Sequence, residues 1–220
     1  MKRLALLALL FPLGCGESAP PPPYVRPADR PILRPDAPEM KTKAPSRFKA
    51  RFTTTKGAFT ITVTRDWAPI GADRFYHLVR GRFFEDVAFF RVLSGFMVQF
   101  GIPADPAESA LWKDANLEDD PVVESNTRKR VTFATAGRGT RTTQMFINTA
   151  NNRRLDRDGF APFGEVTEGM EVVDKLYDGY GEGAPGGSGP SQKRMEKQGN
   201  PYLQADFPKL DYIQKAEIVN

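Results

Sequence analysis

Thirteen residues, Phe89 to Gly101, constrain this chain more than any other stretch: FFRVLSGFMVQFG places one arginine, Arg91, in an otherwise aromatic and aliphatic run that ends in Gln99. Branched and aromatic residues on either side of Ser94-Gly95 predict two short strands meeting at a glycine corner. A guanidinium in such company is costly to bury unless something pairs with it. Arg91 is therefore either a solvent-facing residue on an edge strand or a cation held over an apolar cleft for a ligand.

The rest of the pattern predicts a mainly β domain. Arg47 to Phe52 and Ala58 to Val63 alternate in polarity around Lys56-Gly57 and predict a hairpin. Pro69 opens a helix through about Arg80, with Ala72, Phe75, Tyr76 and Val79 on one face and Gly81 as its stop. Strands are predicted at Val131–Thr135, Thr143–Asn148, Phe160–Val166 and Asp211–Val219, and a second helix at about Gly169–Tyr177. Residues 102–127 predict a surface excursion, 179–192 a glycine loop, and 201–210 an irregular segment. Many short strands with two helices predict a β-barrel with helical plugs.

The amino terminus predicts export. Lys2 and Arg3 precede an apolar run from Leu4 to Leu13 that is too short for a bilayer span of about twenty residues. Gly14-Cys15 ends it, and this single Cys resembles the lipid-modified cysteine of a bacterial lipobox, although Pro12 stands where leucine is usual. The expected organisation is a signal peptide at 1–14, a lipid-anchored Pro-rich flexible tether at 15–46, and a domain at 47–220. Nine of the 27 residues from Ala19 to Pro45 are proline, which favours an extended tether reaching on the order of 80 Å. No regular P-x-x-P register supports the rival reading of a docking ligand. The expected location is the bacterial cell envelope, facing the periplasm or exterior, with simple secretion as the alternative.

One Cys and one His exclude a disulfide framework and a Cys/His zinc site within one chain. A formal charge of +4 gives little reason to expect nucleic-acid binding. Residues 181–186 match G-x-G-x-x-G, but they follow a helix rather than a strand, which argues against a nucleotide loop. Asp156-x-Asp158-Gly159 lacks the ligand ladder of a calcium loop. Glu118-Asp119-Asp120 is read as a solvated acidic loop and Arg128-Lys129-Arg130 as an exposed turn. His77 has no hydrolase motif around it.

Three blocks in order carry a family resemblance. Phe89, Arg91, Gly95, Phe96, Met97, Gln99 and Gly101 resemble the F-H-R … G-F-M-x-Q segment of cyclophilin-type peptidyl-prolyl isomerases, with Phe90 in place of the usual histidine. Phe133-Ala134-Thr135-Ala136-Gly137 and Thr143-Gln144-Met145-Phe146-Ile147-Asn148 are similar to M-A-N-A-G … S-Q-F-F-I. Leu155-Asp156 and the run from Gly159 to Val166 are similar to L-D-G … V-F-G-x-V. The resemblance covers roughly Phe48 to Asn220. It implies a closed eight-stranded antiparallel β-barrel capped by two α-helices, with no cofactor and no metal.

It also implies site residues. Arg91 would be catalytic, with an apolar slot of Phe96, Met97, Phe146 and Leu155. Gln99 would orient Arg91 and bind peptide backbone, Gln144 would add a polar contact, and Thr135 would bind through its main chain. Phe160 stands where many relatives have histidine and joins the expected peptide-binding set. Arg154 stands where many carry a cyclosporin-contacting tryptophan, so weak cyclosporin binding is expected. Expected partners are proline-containing polypeptides and, through lipid on Cys15, a membrane; the expected state is a monomer that does not bind nucleic acid. The alternative class is a barrel that grips proline segments as a chaperone or scaffold without turnover.

Overall fold

The computed structural model describes residues 22–30 and 33–220. The expected signal peptide and Cys15 lie outside the described residues. Eight strands make one antiparallel sheet: β1 Arg47–Thr54, β2 Gly57–Thr64, β3 Arg91–Leu93, β4 Met97–Phe100, β5 Arg130–Phe133, β6 Met145–Asn148, β7 Pro162–Glu168 and β8 Ile213–Val219. Their order across the sheet is β3-β4-β6-β5-β7-β2-β1-β8.

The sheet curls into a half-barrel rather than the closed barrel expected. Its edge strands β3 and β8 share no ladder. The gap is crossed only by irregular chain before β3, where Phe89 N–H donates to the Asp211 carbonyl at 3.0 Å and Ala88 bridges Tyr212. Of the two strands expected in this stretch, the first is regular over only three residues, and before it Asp86 and Val87 make single backbone hydrogen bonds to Ile213 instead of a ladder.

Alternation along β1 buries Phe48, Ala50 and Phe52 and exposes Arg47, Lys49 and Arg51. Phe52 pairs with Phe59 across the hairpin, with ring centroids 5.2 Å apart. Helix α1, Pro69–Arg80, lays Ala72, Phe75 and Val79 on this core, and Phe75 meets Phe163 at 4.9 Å. Burying each such side chain contributes about 1.5–3 kcal/mol. The first amides of α1, at Ile70 and Gly71, donate to the carboxylate of Asp120 at 2.9 Å each. Asp120 also accepts from Arg141, so the acidic run at 118–120 caps a helix rather than simply facing water.

The helix expectation needs correction too. Besides α1 there are α2 Pro106–Trp112, α3 Met170–Val173, α4 Gln192–Gln198 and α5 Asn200–Asp206. Only the first turn of the expected 169–177 helix is α-helical. Helices α4 and α5 cover a second apolar cluster of Ala88, Phe90, Ile102, Met195, Tyr202, Leu203 and Leu210. These residues come from distant chain segments, so no local periodicity announces the helices.

The segment expected as a flexible tether is, over its described part, packed on the domain. Arg30 is 2 % exposed and donates to Glu108 of α2 at 3.1 Å and to the Arg82 carbonyl at 3.1 Å. Tyr24 bonds Asp86, and Arg26 bonds Asp105. Trp112 Nε1 donates to the Leu33 carbonyl at 3.0 Å, and His77 Nε2 to the Thr42 carbonyl at 2.8 Å. An extended proline-rich chain with spaced arginines and a leucine leaves its backbone and side chains free for such anchors. Composition alone did not distinguish that from a free spacer.

Candidate active site

Register builds the site. Arg91 pairs with Gln99 between β3 and β4, and Gln99 pairs with Phe146 between β4 and β6. Directly opposed residues share a face. Val92, Val98, Phe100 and Ile147 consequently enter the main core, while Arg91, Met97, Gln99 and Phe146 stand on the other side of the sheet. Gly101 permits this spacing: at φ 106° its bare Cα lies against the Thr143 carbonyl, where a Cβ would collide.

On that outer face lies a cleft of about 340 Å³, which gathers every peptide-binding residue expected from the sequence. Its floor is a separate apolar cluster of Met97, Phe146 and Leu155, flanked by Phe96, Ala134 and Phe160. Phe146 and Phe160 meet edge-on at 5.7 Å. The polar wall is a chain of directed hydrogen bonds. Arg91 Nη1 donates to Gln99 Oε1 at 3.0 Å, Gln99 Nε2 to Gln144 Oε1 at 2.9 Å, and Gln144 Nε2 to Gln192 Oε1 at 3.1 Å. Arg91 remains partly open, its side chain 23 % exposed.

Thr135 lines the cleft, but its hydroxyl is engaged with Gly137 and Thr140 inside its own loop. That leaves its main chain, rather than its side chain, to face a ligand. Phe90, at the variant position beside Arg91, is 1 % exposed within the second apolar cluster and takes no part in the cleft. Arg154 lies outside the cleft lining, its guanidinium 4.8 Å from the centre of the Phe96 ring. Among the described residues, no three His, Cys, Asp or Glu side chains gather as a metal site.

Several residues escaped the sequence reading. Glu182 Oε2 accepts from Arg91 Nη2 at 2.6 Å, and this hydrogen bond holds the Glu182 carboxyl below the usual carboxylate range. A buried amide network lies behind the slot. Asn126 Nδ2 donates to the Phe160 carbonyl at 2.8 Å, and Asn152 Nδ2 to the Phe96 carbonyl at 2.7 Å. Asn148 joins the two asparagines. Asp156, considered for calcium, instead accepts from Ser125 and Asn126. Burial favours its neutral form, but those bonds and Arg153 outweigh it and lower its pKa. Asparagines spread over two loops and the end of β6 carry no sequence periodicity that could have pointed here.

The family model for cyclophilin type peptidyl-prolyl cis-trans isomerases matches residues 49–197. The chain belongs to that family. It is 36 % identical over 130 residues to peptidyl-prolyl cis-trans isomerase A of Dickeya dadantii, covering 56 % of this chain and 68 % of the relative. Peptidyl-prolyl cis-trans isomerase B of Escherichia coli is 31 % identical over 133 residues, or 57 % of this chain and 81 % of that protein. A crystal structure of a Cryptosporidium parvum cyclophilin type peptidyl-prolyl cis-trans isomerase superposes with a TM-score of 0.58 at 17 % identity, covering 79 % and 98 % of the two chains. That last likeness bears on the fold alone, and it agrees with a cyclophilin-like, mainly β architecture.

Proposed function

We infer that this cyclophilin isomerises X–Pro bonds without covalent chemistry, with Arg91 as the group that stabilises the twisted amide. Resonance gives the amide a rotational barrier of about 18–20 kcal/mol. A catalyst needs only to favour the twisted form over both planar ones. As the bond twists, the prolyl nitrogen pyramidalises and its lone pair becomes a hydrogen-bond acceptor. Arg91 donates to it while remaining charged. Phe96, Met97, Phe146, Leu155 and Phe160 hold the proline ring still, and the chain on one side of it turns. Gln99 orients the guanidinium, and Gln144 and the Thr135 main chain bind peptide backbone.

The observation that carries this reading is the partly open guanidinium, fixed through Gln99 at the rim of an apolar slot. The test compares wild type with Arg91→Ala on a proline peptide by protease-coupled assay or exchange spectroscopy. Loss of one such donor is expected to lower kcat/KM by about 10²–10³-fold. Equal rates for the two proteins would favour the binding module.

Clients of this reading are exported polypeptides, and the protein reaches them from a bacterial envelope. Lys2, Arg3, the Leu4–Leu13 run and Gly14-Cys15 support cleavage before Cys15 and lipid attachment there. The isomerase domain from about residue 47 is then carried on the lipid through the segment before it, whose part from Pro22 onward packs on the domain, and the protein acts as a monomer. Mass spectrometry of the mature amino terminus tests this: a lipid-bearing Cys15 is expected, and an unmodified later start would indicate secretion.

A further inference from the structure

Glu182 brings a carboxylate to the working arginine from a loop that the sequence offers only as a poor phosphate cradle. The loop is built to hold it there. Gly189 N–H donates to the Glu182 carbonyl at 2.8 Å, Gly187 N–H to the Gly183 carbonyl at 3.0 Å, and Gly183 N–H to Glu182 Oε1 at 3.0 Å. Glu182 Oε2 meets Arg91 Nη2 at 2.6 Å on the side opposite Gln99, and its side chain is still 42 % exposed.

This pairing offsets part of the guanidinium's charge at the rim while leaving Arg91 a charged donor. Among the described residues, Arg91 is the one charged side chain in the cleft lining. Glu182 stands outside that lining, next to Arg91, so a side chain reaching past Arg91 meets a partly exposed anion rather than a bare cation. A prolyl nitrogen bonded to Arg91 at about 3 Å lies on the order of 6 Å from that carboxylate. Successive Cα atoms are about 3.8 Å apart, so a lysine or arginine adjacent to the X–Pro pair can reach Glu182.

We propose that Glu182 is a specificity residue of this isomerase, which makes the cleft favour proline segments flanked by a basic side chain and disfavour those flanked by an acidic one. The proposal rests on the isomerase reading of the same cleft. Arg154 stacks on Phe96 outside the cleft lining, away from the Arg91–Glu182 pair.

The test uses the full chain and three peptides with one X–Pro core, bearing Lys, Ala or Glu beside it, with wild type and Glu182→Gln compared. The amide retains the size of Glu182 and its bond to Arg91. In wild type the Lys peptide is expected to exceed the Glu peptide in kcat/KM by about threefold or more, the scale of exposed ion pairs. That ratio should shrink with added salt and fall to one or invert in Glu182→Gln. A merely structural role would change all three peptides equally, and an unchanged Lys/Glu ratio overturns the proposal. Absence of turnover on every peptide would instead sink the isomerase reading. Calorimetric binding of the same peptides then decides the selectivity by the same ratio.

Discussion

Arg30 and Arg91 each lie against a glutamate, at 3.1 Å and 2.6 Å, yet Arg30 is sealed at 1 % side-chain exposure while Arg91 keeps 23 %. In both, Nε is buried without a partner. The difference lies in the remaining donors. Those of Arg30 go to Glu108 and to the carbonyls of Arg82 and Phe83, all fixed parts of the protein. Those of Arg91 go to Gln99 and Glu182 on two sides, and each Nη carries a second hydrogen for a ligand. Arg30 spends its donors within the fold, and Arg91, in its proposed role, is clamped but left open to the cleft.

The surest way to break this contrast is to remove Arg30. Burial pushes the Glu108 carboxyl up, and Arg30 is the main influence pulling it back. Arg30→Ala leaves that carboxylate alone, a loss of about 3–5 kcal/mol. For a chain of this size Tm should fall by roughly 6–20 °C, with isomerase activity retained below the melt. An unchanged Tm would mean that the amino-terminal segment does not stabilise the domain.

Arg91→Ala is the reciprocal case. Beyond its loss of rate, it should cost only about 1 kcal/mol of stability, the scale of one partly exposed ion pair. A melt much below wild type would erase the distinction between the two arginines.

Asn126 sharpens the contrast, because it supports the slot without touching a peptide. Asn126→Ala leaves the Phe160 carbonyl and the Thr132 hydroxyl without a partner and takes one of its hydrogen bonds from Asp156. A loss of about 1–3 kcal/mol is expected for such a buried vacancy. The proline slot should loosen as well, so KM for a proline peptide should rise more than kcat falls. An unchanged KM would confine Asn126 to folding.

The smallest effect is set by acid. Asp156 has a lowered folded pKa, so its contribution is present above the unfolded value of about 3.9 and is lost as pH falls through the folded one. Melts taken from pH 6 downward should show an acid loss that Asp156→Asn reduces. Parallel curves for the two proteins would count against this account.

Much of the site was readable because β alternation is local. The spacing of Arg91, Met97 and Gln99, with Phe146 two residues beyond Gln144, follows from strand periodicity and the family blocks. The same local logic located the β1–β2 hairpin and α1. It overreached between β3 and β8, closing a barrel that these edge strands leave open. It also failed where an element is made by what it covers: α4 and α5 exist over Phe90, Ile102 and Leu210, which are distant in the chain.

The sequence by itself determined the family and most of the sheet-forming segments, since motifs and strand alternation depend on residues close together along the chain. Only the tertiary structure decided that Glu182 faces Arg91, 91 positions away, and that Arg30 is buried against Glu108, 78 positions away. The physical reason is that a charge declares its role through its partner. Pairing across such separations is set by how the whole chain packs, not by any local preference of the residues involved.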